Sequence, residues 1–337
     1  MKVLILGGAG FIGSVLSEYI YKQGDEVIVF DNFLYERKKI KSGKIKYILG
    51  DICNINDLLP AVAESDAVVN LAAISNDPAS DLQPELTWRI NYKANEIIAG
   101  LCKATNKRVI YASSCSVYGF AKKGVFSEIS KLNPVTLYAR TKMLSEAYYL
   151  APDINSVILR FATVYGNSPK PRLDLVVNTM VGTSYFTGEI IVDGGSQWRP
   201  IVHIKDVARA IYLALHIAKP KHRIYNVGSN EQNYQIKDLA EIISKFIPGI
   251  KITHKKESTD DRSYKVDFSR IKKELNFKAN HSTVDAINEL YGAFKSKTIK
   301  NMHEDEYFRV KYLITNMKKK GFRKRLIPNN AYARQNV

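Results

Sequence analysis

Short apolar runs alternate through the first half of the chain with longer stretches in which apolar residues recur every three or four positions. The first kind reads as buried strands, the second as helices with one apolar face. Strands are expected at residues 3–6, 26–30, 46–49, 67–71, 108–112 and 156–160, and helices at 12–21, 84–104 and 137–150. Alternation of this kind demands βαβ crossovers, which makes the fold class α/β with a doubly wound parallel sheet. Pro169 and Pro171 mark a break. Beyond it the pattern is less regular: helices at 174–187, 204–216, 234–246 and 283–294, an extended run at 189–192 and a strand at 223–227. No internal repeat or low-complexity linker separates the halves, so a smaller C-terminal lobe is expected to interleave with the first domain. Residues 1–172, with return segments near 201–228, are assigned to the sheet domain. Residues 173–200 and 229–295 are assigned to the lobe, and 296–337 to a basic helical extension. Within that extension Val310, Leu313, Ile314 and Met317 recur at helical spacing and are expected to pack on the body.

With 337 residues, 45% hydrophobic and 25% charged, the chain has the make-up of an ordinary folded protein with a sizeable core. The apolar run at its start is four residues long before glycines intervene, too short for a signal peptide. No stretch approaches the 18 or so apolar residues of a membrane span. Cys53, Cys102 and Cys115 are widely spaced and lack metal-ligand pairing, which suits reduced thiols in a cytoplasm, and no metal site is expected. The net charge of +17 invites a nucleic-acid reading, but its distribution argues otherwise. From Lys295 onward twelve Lys or Arg face three Asp or Glu, so over half the excess sits in the extension. Its cluster of Lys318, Lys319, Lys320, Arg323, Lys324 and Arg325 is best read as a solvated end; no nucleic-acid partner is expected.

Gly7, Gly10 and Gly13 follow the first strand and open the first helix, the setting in which a glycine pattern marks a Rossmann-type dinucleotide site. One glycine permits the tight turn, one lets backbone amides approach a diphosphate, and one allows close helix–sheet packing. Asp31 ends the second strand 18 residues after Gly13, near the spacing of a carboxylate that accepts bonds from the adenosine ribose and repels a 2′-phosphate. NAD is therefore preferred over NADP, a preference softened by Arg37, Lys38 and Lys39. Asp51, after the third strand, is a weaker candidate for the adenine edge.

Tyr138 and Lys142 stand at i and i+4 on an expected helix and so share a face. A free tyrosine titrates near ~10, and making it a base at neutral pH requires about 4 kcal/mol of preferential stabilisation of the phenolate. A neighbouring ammonium supplies part of this, and the positive ring of an oxidised nicotinamide supplies more. Ser114 lies 24 residues upstream, placed to hydrogen-bond the same substrate oxygen.

Together these residues resemble the extended short-chain dehydrogenase/reductase family, in particular its UDP-glucose 4-epimerase-like group of nucleotide-sugar epimerases and dehydratases. The resemblance covers roughly residues 1–295. It implies catalytic roles for Ser114, Tyr138 and Lys142, and a cofactor site that adds Phe11, Ile12, Asn32, Ile52, Leu71, Ala72 and Ala73 to the residues above. It implies substrate contacts at Ser75, Ser114, Cys115, Ser116, Thr163, Asn178, Arg199 and Arg262, the two arginines gripping a diphosphate with paired charge-assisted bonds. The Arg160 strand and the loop through Tyr165 would lead into the sugar pocket, and residues 73–78 would face the hexose. His203 is read as structural, without partners at metal-ligand spacing. Dehydratases of the family place Asp-Glu directly after the catalytic hydroxyl residue; Cys115 and Ser116 stand there and neither is a general acid near neutral pH.

The expected activity is NAD-dependent epimerisation of a nucleoside-diphosphate sugar at C4 through a transient keto sugar. The alternatives are a net NAD(P)-dependent oxidoreductase or ketoreductase on the same sugars and, less favoured, a 4,6-dehydratase or a catalytically idle NAD-binding protein. The resemblance further implies a cytoplasmic homodimer whose interface is built from the helices at 84–104 and 137–150.

Overall fold

The computed structural model describes residues 1–35, 44–120, 124–255, 263–302 and 304–317. Seven parallel strands form the central sheet in the order Ile224–Val227, Ser156–Phe161, Arg108–Ser114, Ala67–Asn70, Lys2–Leu6, Glu26–Asp31, Lys46–Leu49. The sequence of strands reverses between Lys2–Leu6 and Ala67–Asn70, and the crevice beyond the carboxyl ends of such a pair is where an open α/β sheet binds ligands. Near-continuous apolar strands such as Val3 to Leu6 are buried on both faces, as a sheet sandwiched by helices requires. One core lies between the sheet and helices Phe11–Lys22 and Ile204–His216; the other lies under Ile55–Glu64 and Ala94–Ala104. A third core, around Val177, Val181, Ile190, Leu239, Ile243 and Leu290, holds the C-terminal lobe together. There strand Trp198–His203 pairs with Thr163–Tyr165 and Asn233–Gln235, and Glu189–Asp193 pairs with Lys251–Lys255.

The expected helix at 84–104 is a run of three segments, Pro84–Trp88, a π-helical turn Arg89–Lys93, and Ala94–Ala104. The wide turn has a use. Asn91 within it clamps the backbone of Ile74 through both amide atoms, at 2.8 and 2.9 Å, while its carbonyl accepts from Ser145 at 2.8 Å. Helix Ile55–Glu64 was not expected, because Pro60 inside it interrupts the helical reading; of the short lobe strands, only Glu189–Asp193 corresponds to an expected extended run, at 189–192. In the last helix, Arg309–Met317, Tyr312 and Leu313 are the buried apolar residues, and Ile314 is 53% exposed rather than packed. The contact of Tyr312 with Tyr35, 5.3 Å between ring centres, turns the helix to that face. The basic cluster from Lys318 to Arg325 lies outside the described residues. Cys53, Cys102 and Cys115 form no disulfide, and no helix of the described residues is long and apolar enough to cross a membrane.

Helix Leu137–Leu150 starts where Thr136 accepts the backbone N–H of Ala139, and it turns polar as well as apolar residues toward the sheet. Glu146 on that face makes two bonds to Arg160, at 2.9 and 2.6 Å, and accepts from Ser113 at 2.6 Å. Arg160 also donates to Tyr118, whose hydroxyl donates to Asn226 at 2.6 Å. Removing the carboxylate with Glu146→Ala leaves a guanidinium buried without its counter-charge, which costs about 3–5 kcal/mol. The expected outcome is a fall of several degrees in the thermal midpoint, with Glu146→Gln losing less; calorimetry of the purified variants measures both.

Candidate active site

Two adjoining cavities open at the carboxyl ends of the strands. The first, about 180 Å³, is lined by Gly7, Gly10, Phe11, Ile12, Gly13, Asp31, Asn32, Asp51, Ile52, Leu71, Ala72 and Ala73, together with Tyr138 and Lys142. The proposed cofactor residues are thus brought together. Its glycines are there for space: a Cβ at Gly7 would lie 2.8 Å from the backbone of Ala72, and one at Gly13 would lie 2.5 Å from Gly8. Gly7 also has a φ of +75°. Gly10 caps the following helix without a side-chain bond, so amides of the first turn are left for an anion. Asp31 accepts from Ala9 at 3.0 Å and Phe33 at 2.8 Å, which orients a carboxylate at the end of its strand. Asp51 pairs with Arg89 at 3.2 Å. A dinucleotide fits this donor set: helix amides for its diphosphate, and a fixed carboxylate for ribose hydroxyls. Arg37, Lys38 and Lys39 lie outside the described residues.

Tyr138 lines both cavities, and Ser114 the second, about 480 Å³ in volume. Lys142 is buried and donates to the carbonyl of Ala112 at 2.7 Å; its Nζ lies 5.0 Å from the ring centre of Tyr111 and 5.8 Å from that of Tyr138. Burial pushes the lysine down to about 7, against the opposing influence of Glu146. The expectation that Lys142 would depress Tyr138 is not what this geometry gives. Burial, and then the carboxylate of Asp77, push Tyr138 up to about 12, while Arg172 and a hydrogen bond with Ser114 pull the other way.

The second cavity collects Ser75, Ser116, Thr163 and Arg199, with Asn76 and Asp77 of the loop expected to face the hexose. The Ser116 hydroxyl is buried without a partner among the described residues. Two assignments are corrected. The Cys115 thiol points into the core and donates to the carbonyl of Arg160 at 3.3 Å, because the short 3₁₀ turn after the strand carries it under the sheet. Asn178 spends its amide on the backbones of Gly166 and Arg172, three bonds of 2.9 Å, and braces the loop instead of facing ligand. Arg262 lies outside the described residues. His203 is fully buried, accepts from Lys205 at the head of its helix, and stacks on His281 at 4.7 Å with Glu289 at 3.3 Å.

Tyr35, Arg172, Asp174 and Arg309 were missed. Arg172 lines both cavities, makes two bonds to Asp174 at 2.9 and 3.1 Å, and donates to Ser75 at 3.1 Å. Its one signal in sequence was an Arg-x-Asp step after the proline break; Arg309, far along the chain, had none.

The lowered lysine makes a sign-definite prediction for the cofactor-free chain. Between pH 7 and about 10.5 the unfolded chain carries the Lys142 proton and the folded chain does not, so stability relative to Lys142→Met rises with pH. Below pH 7 that difference flattens. Urea titrations of both proteins from pH 6 to 9.5 measure it; a difference constant with pH would mean that the buried amine stays charged.

The family model described as "NAD dependent epimerase/dehydratase family" matches residues 3–228. A UDP-glucose 4-epimerase of Lactobacillus helveticus is 28% identical over 85% of this chain and 94% of its own. UDP-glucuronic acid decarboxylase 1 of Arabidopsis thaliana is 25% identical over 91% and 72%. The solved UDP-glucuronic acid 4-epimerase from Bacillus cereus, in complex with UDP-glucuronic acid and NAD, superposes with a TM-score of 0.73 at 26% identity over 88% and 99%. With its glycine turn, Asp31 and the Ser114, Tyr138 and Lys142 group gathered at one crevice, the chain belongs to the NAD-dependent epimerase/dehydratase family and takes NAD as its cofactor.

Proposed function

We propose that this protein is an epimerase that inverts C4 of a nucleoside-diphosphate sugar through a transient keto sugar. The observation that carries the reading is the position of Tyr138, which borders both the cofactor cavity and the larger polar cavity, within a hydrogen bond of Ser114. Gly7, Gly10, Gly13, Asp31 and the first turn of helix Phe11–Lys22 would hold NAD. When bound, NAD would supply the hydride acceptor and donor for the sugar carbon, and its positive ring would add to the field on the phenol. Tyr138, as phenolate, takes the hydroxyl proton and later gives it back. Ser114 holds the same oxygen as it becomes a carbonyl. Arg172 supplies positive charge and Asp77 opposes it, so the balance around the phenol sets the working pH; Lys142, beside Tyr138 in the cofactor cavity, would hold the cofactor ribose. Thr163, Ser116 and Arg199 are proposed to contact the sugar and its diphosphate. A UDP-sugar carrier is supported by the names of the relatives. Loss of water from the sugar is disfavoured, since Cys115 lies in the core and Ser116 offers a hydroxyl where dehydratases carry acids.

We also propose a homodimer. Helices Pro84–Trp88 and Leu137–Leu150 pack together, and with the π-helical turn Arg89–Lys93 they present Trp88, Tyr92 and Tyr148, partly exposed and in ring contact at 5.5 and 5.3 Å.

Tyr138→Phe is expected to lower kcat by 10³-fold or more with NAD affinity within about threefold of the unaltered enzyme. Ser114→Ala is expected to cost on the order of 10²-fold in kcat. NMR of a panel of nucleoside-diphosphate sugars identifies the product, and absorbance at 340 nm should show no net change during turnover. Stoichiometric production of reduced cofactor would instead establish a net oxidoreductase.

A further inference from the structure

The first residue of the last helix, Arg309, enters the cofactor cavity from well beyond the 3–228 region that the family model spans. It is 5% exposed, and its guanidinium lies 4.1 Å from the ring centre of Tyr35. Its backbone N–H donates to Asp174 at 3.3 Å, but the guanidinium has no hydrogen bond or ion pair with the described residues. Asp174 is already engaged by the two bonds from Arg172 and by one from Asn76 at 3.0 Å. The hydroxyl of Tyr35, in the same cavity, is buried without a partner among the described residues. Two guanidiniums and one phenol without a partner among the described residues therefore line a cleft that the glycine turn and the start of helix Phe11–Lys22 also line. Burial and the like charge of Arg172 push Arg309 down to about 10, so it remains a cation at neutral pH.

The segment is fixed in place on both sides. Leu173 donates to the carbonyl of Tyr307 at 3.0 Å, and Tyr312 and Leu313 are buried against the sheet domain. The carboxylates of Asp174 and Asp31 act on this buried cation without forming an ion pair with its guanidinium among the described residues, so it remains costly unless an anion reaches it directly. The dinucleotide brings one.

We propose that Arg309 is a cofactor-binding residue that grips the diphosphate of NAD, and that the segment from Asp305 to Met317 thereby clamps the cofactor cleft. This deepens the family's NAD dependence and does not rest on the sugar chemistry. A guanidinium suits the task because its planar fork makes paired bonds to phosphate oxygens.

The test is calorimetric titration of the full chain, freed of nucleotide, with NAD⁺, ADP-ribose and adenosine. Arg309→Met is expected to weaken NAD⁺ and ADP-ribose by roughly 10- to 100-fold and to leave adenosine within about twofold. Arg309→Lys, which keeps the charge without the fork, is expected to lose roughly 3- to 10-fold for the two diphosphates only. Unchanged NAD⁺ affinity in either folded variant overturns the proposal, as does an equal loss for adenosine, which would make Arg309 a prop for Tyr35. If Arg309→Met fails to fold, the lysine variant decides. Failure of the unaltered chain to bind NAD⁺ would overturn the cofactor assignment itself, a result distinct from selective failure of the variants.

Discussion

A carboxylate and a guanidinium shut away from water, Glu146 and Arg160, tie the helix bearing Tyr138 and Lys142 to the central sheet. Two ions buried together repay their desolvation only with close geometry and with their remaining valences satisfied. Here Ser113, Tyr118 and Asn226 complete the network, and each comes from a different strand or turn of the sheet domain. Because Glu146 is one helical turn beyond Lys142, anchoring the first forces the second inward onto the carbonyl of Ala112. Tyr138, one turn earlier, is left at the lip between the two cavities. The ion pair contributes position to the site, and Lys142 meets the resulting desolvation by shedding much of its hold on a proton.

The electrostatics of the crevice follow from that placement. A largely desolvated phenol faced by Asp77 resists ionisation, and the groups opposing this are Arg172 and Ser114. Arg172 is the hinge of the arrangement, since it borders both cavities, binds Asp174 and touches Ser75. Through Asp174 it also meets the backbone of Arg309. The residues after the lobe thus return to the sheet domain at the point where its charges are least balanced, and they bring another positive charge.

The alternating apolar runs carried the sheet and its flanking helices because a doubly covered parallel sheet needs continuous apolar strands, a signal that survives in one dimension. Helix Leu137–Leu150 and strand Lys46–Leu49 were placed to the residue. The glycine turn was legible for a related reason: Gly7 and Gly13 leave no room for a side chain, so the residue type itself records the contact. Tyr138 and Lys142 were singled out by their i, i+4 spacing on one helix, Asp31 by its distance from the glycine turn, and Ser114 by its place in a motif of the resembled family; all four line the two cavities. Cys115 and Asn178 were misjudged because their neighbours in sequence are correctly placed while a turn and a hydrogen-bonding bracket rotate their own side chains away.

What the sequence by itself determined is therefore everything written in local periodicity or steric exclusion: the α/β class, the dinucleotide turn, and the tyrosine and lysine on one helical face. Only the tertiary structure decided which charges meet. Arg172 with Asp174, Asp77 beside Tyr138, Glu146 under Arg160 and Arg309 over Tyr35 each depend on distant segments or on loop conformation. Such encounters leave no repeat in the chain, because Coulomb and desolvation energies depend on separation in space and on exclusion of water, and neither is recorded by position along a polymer.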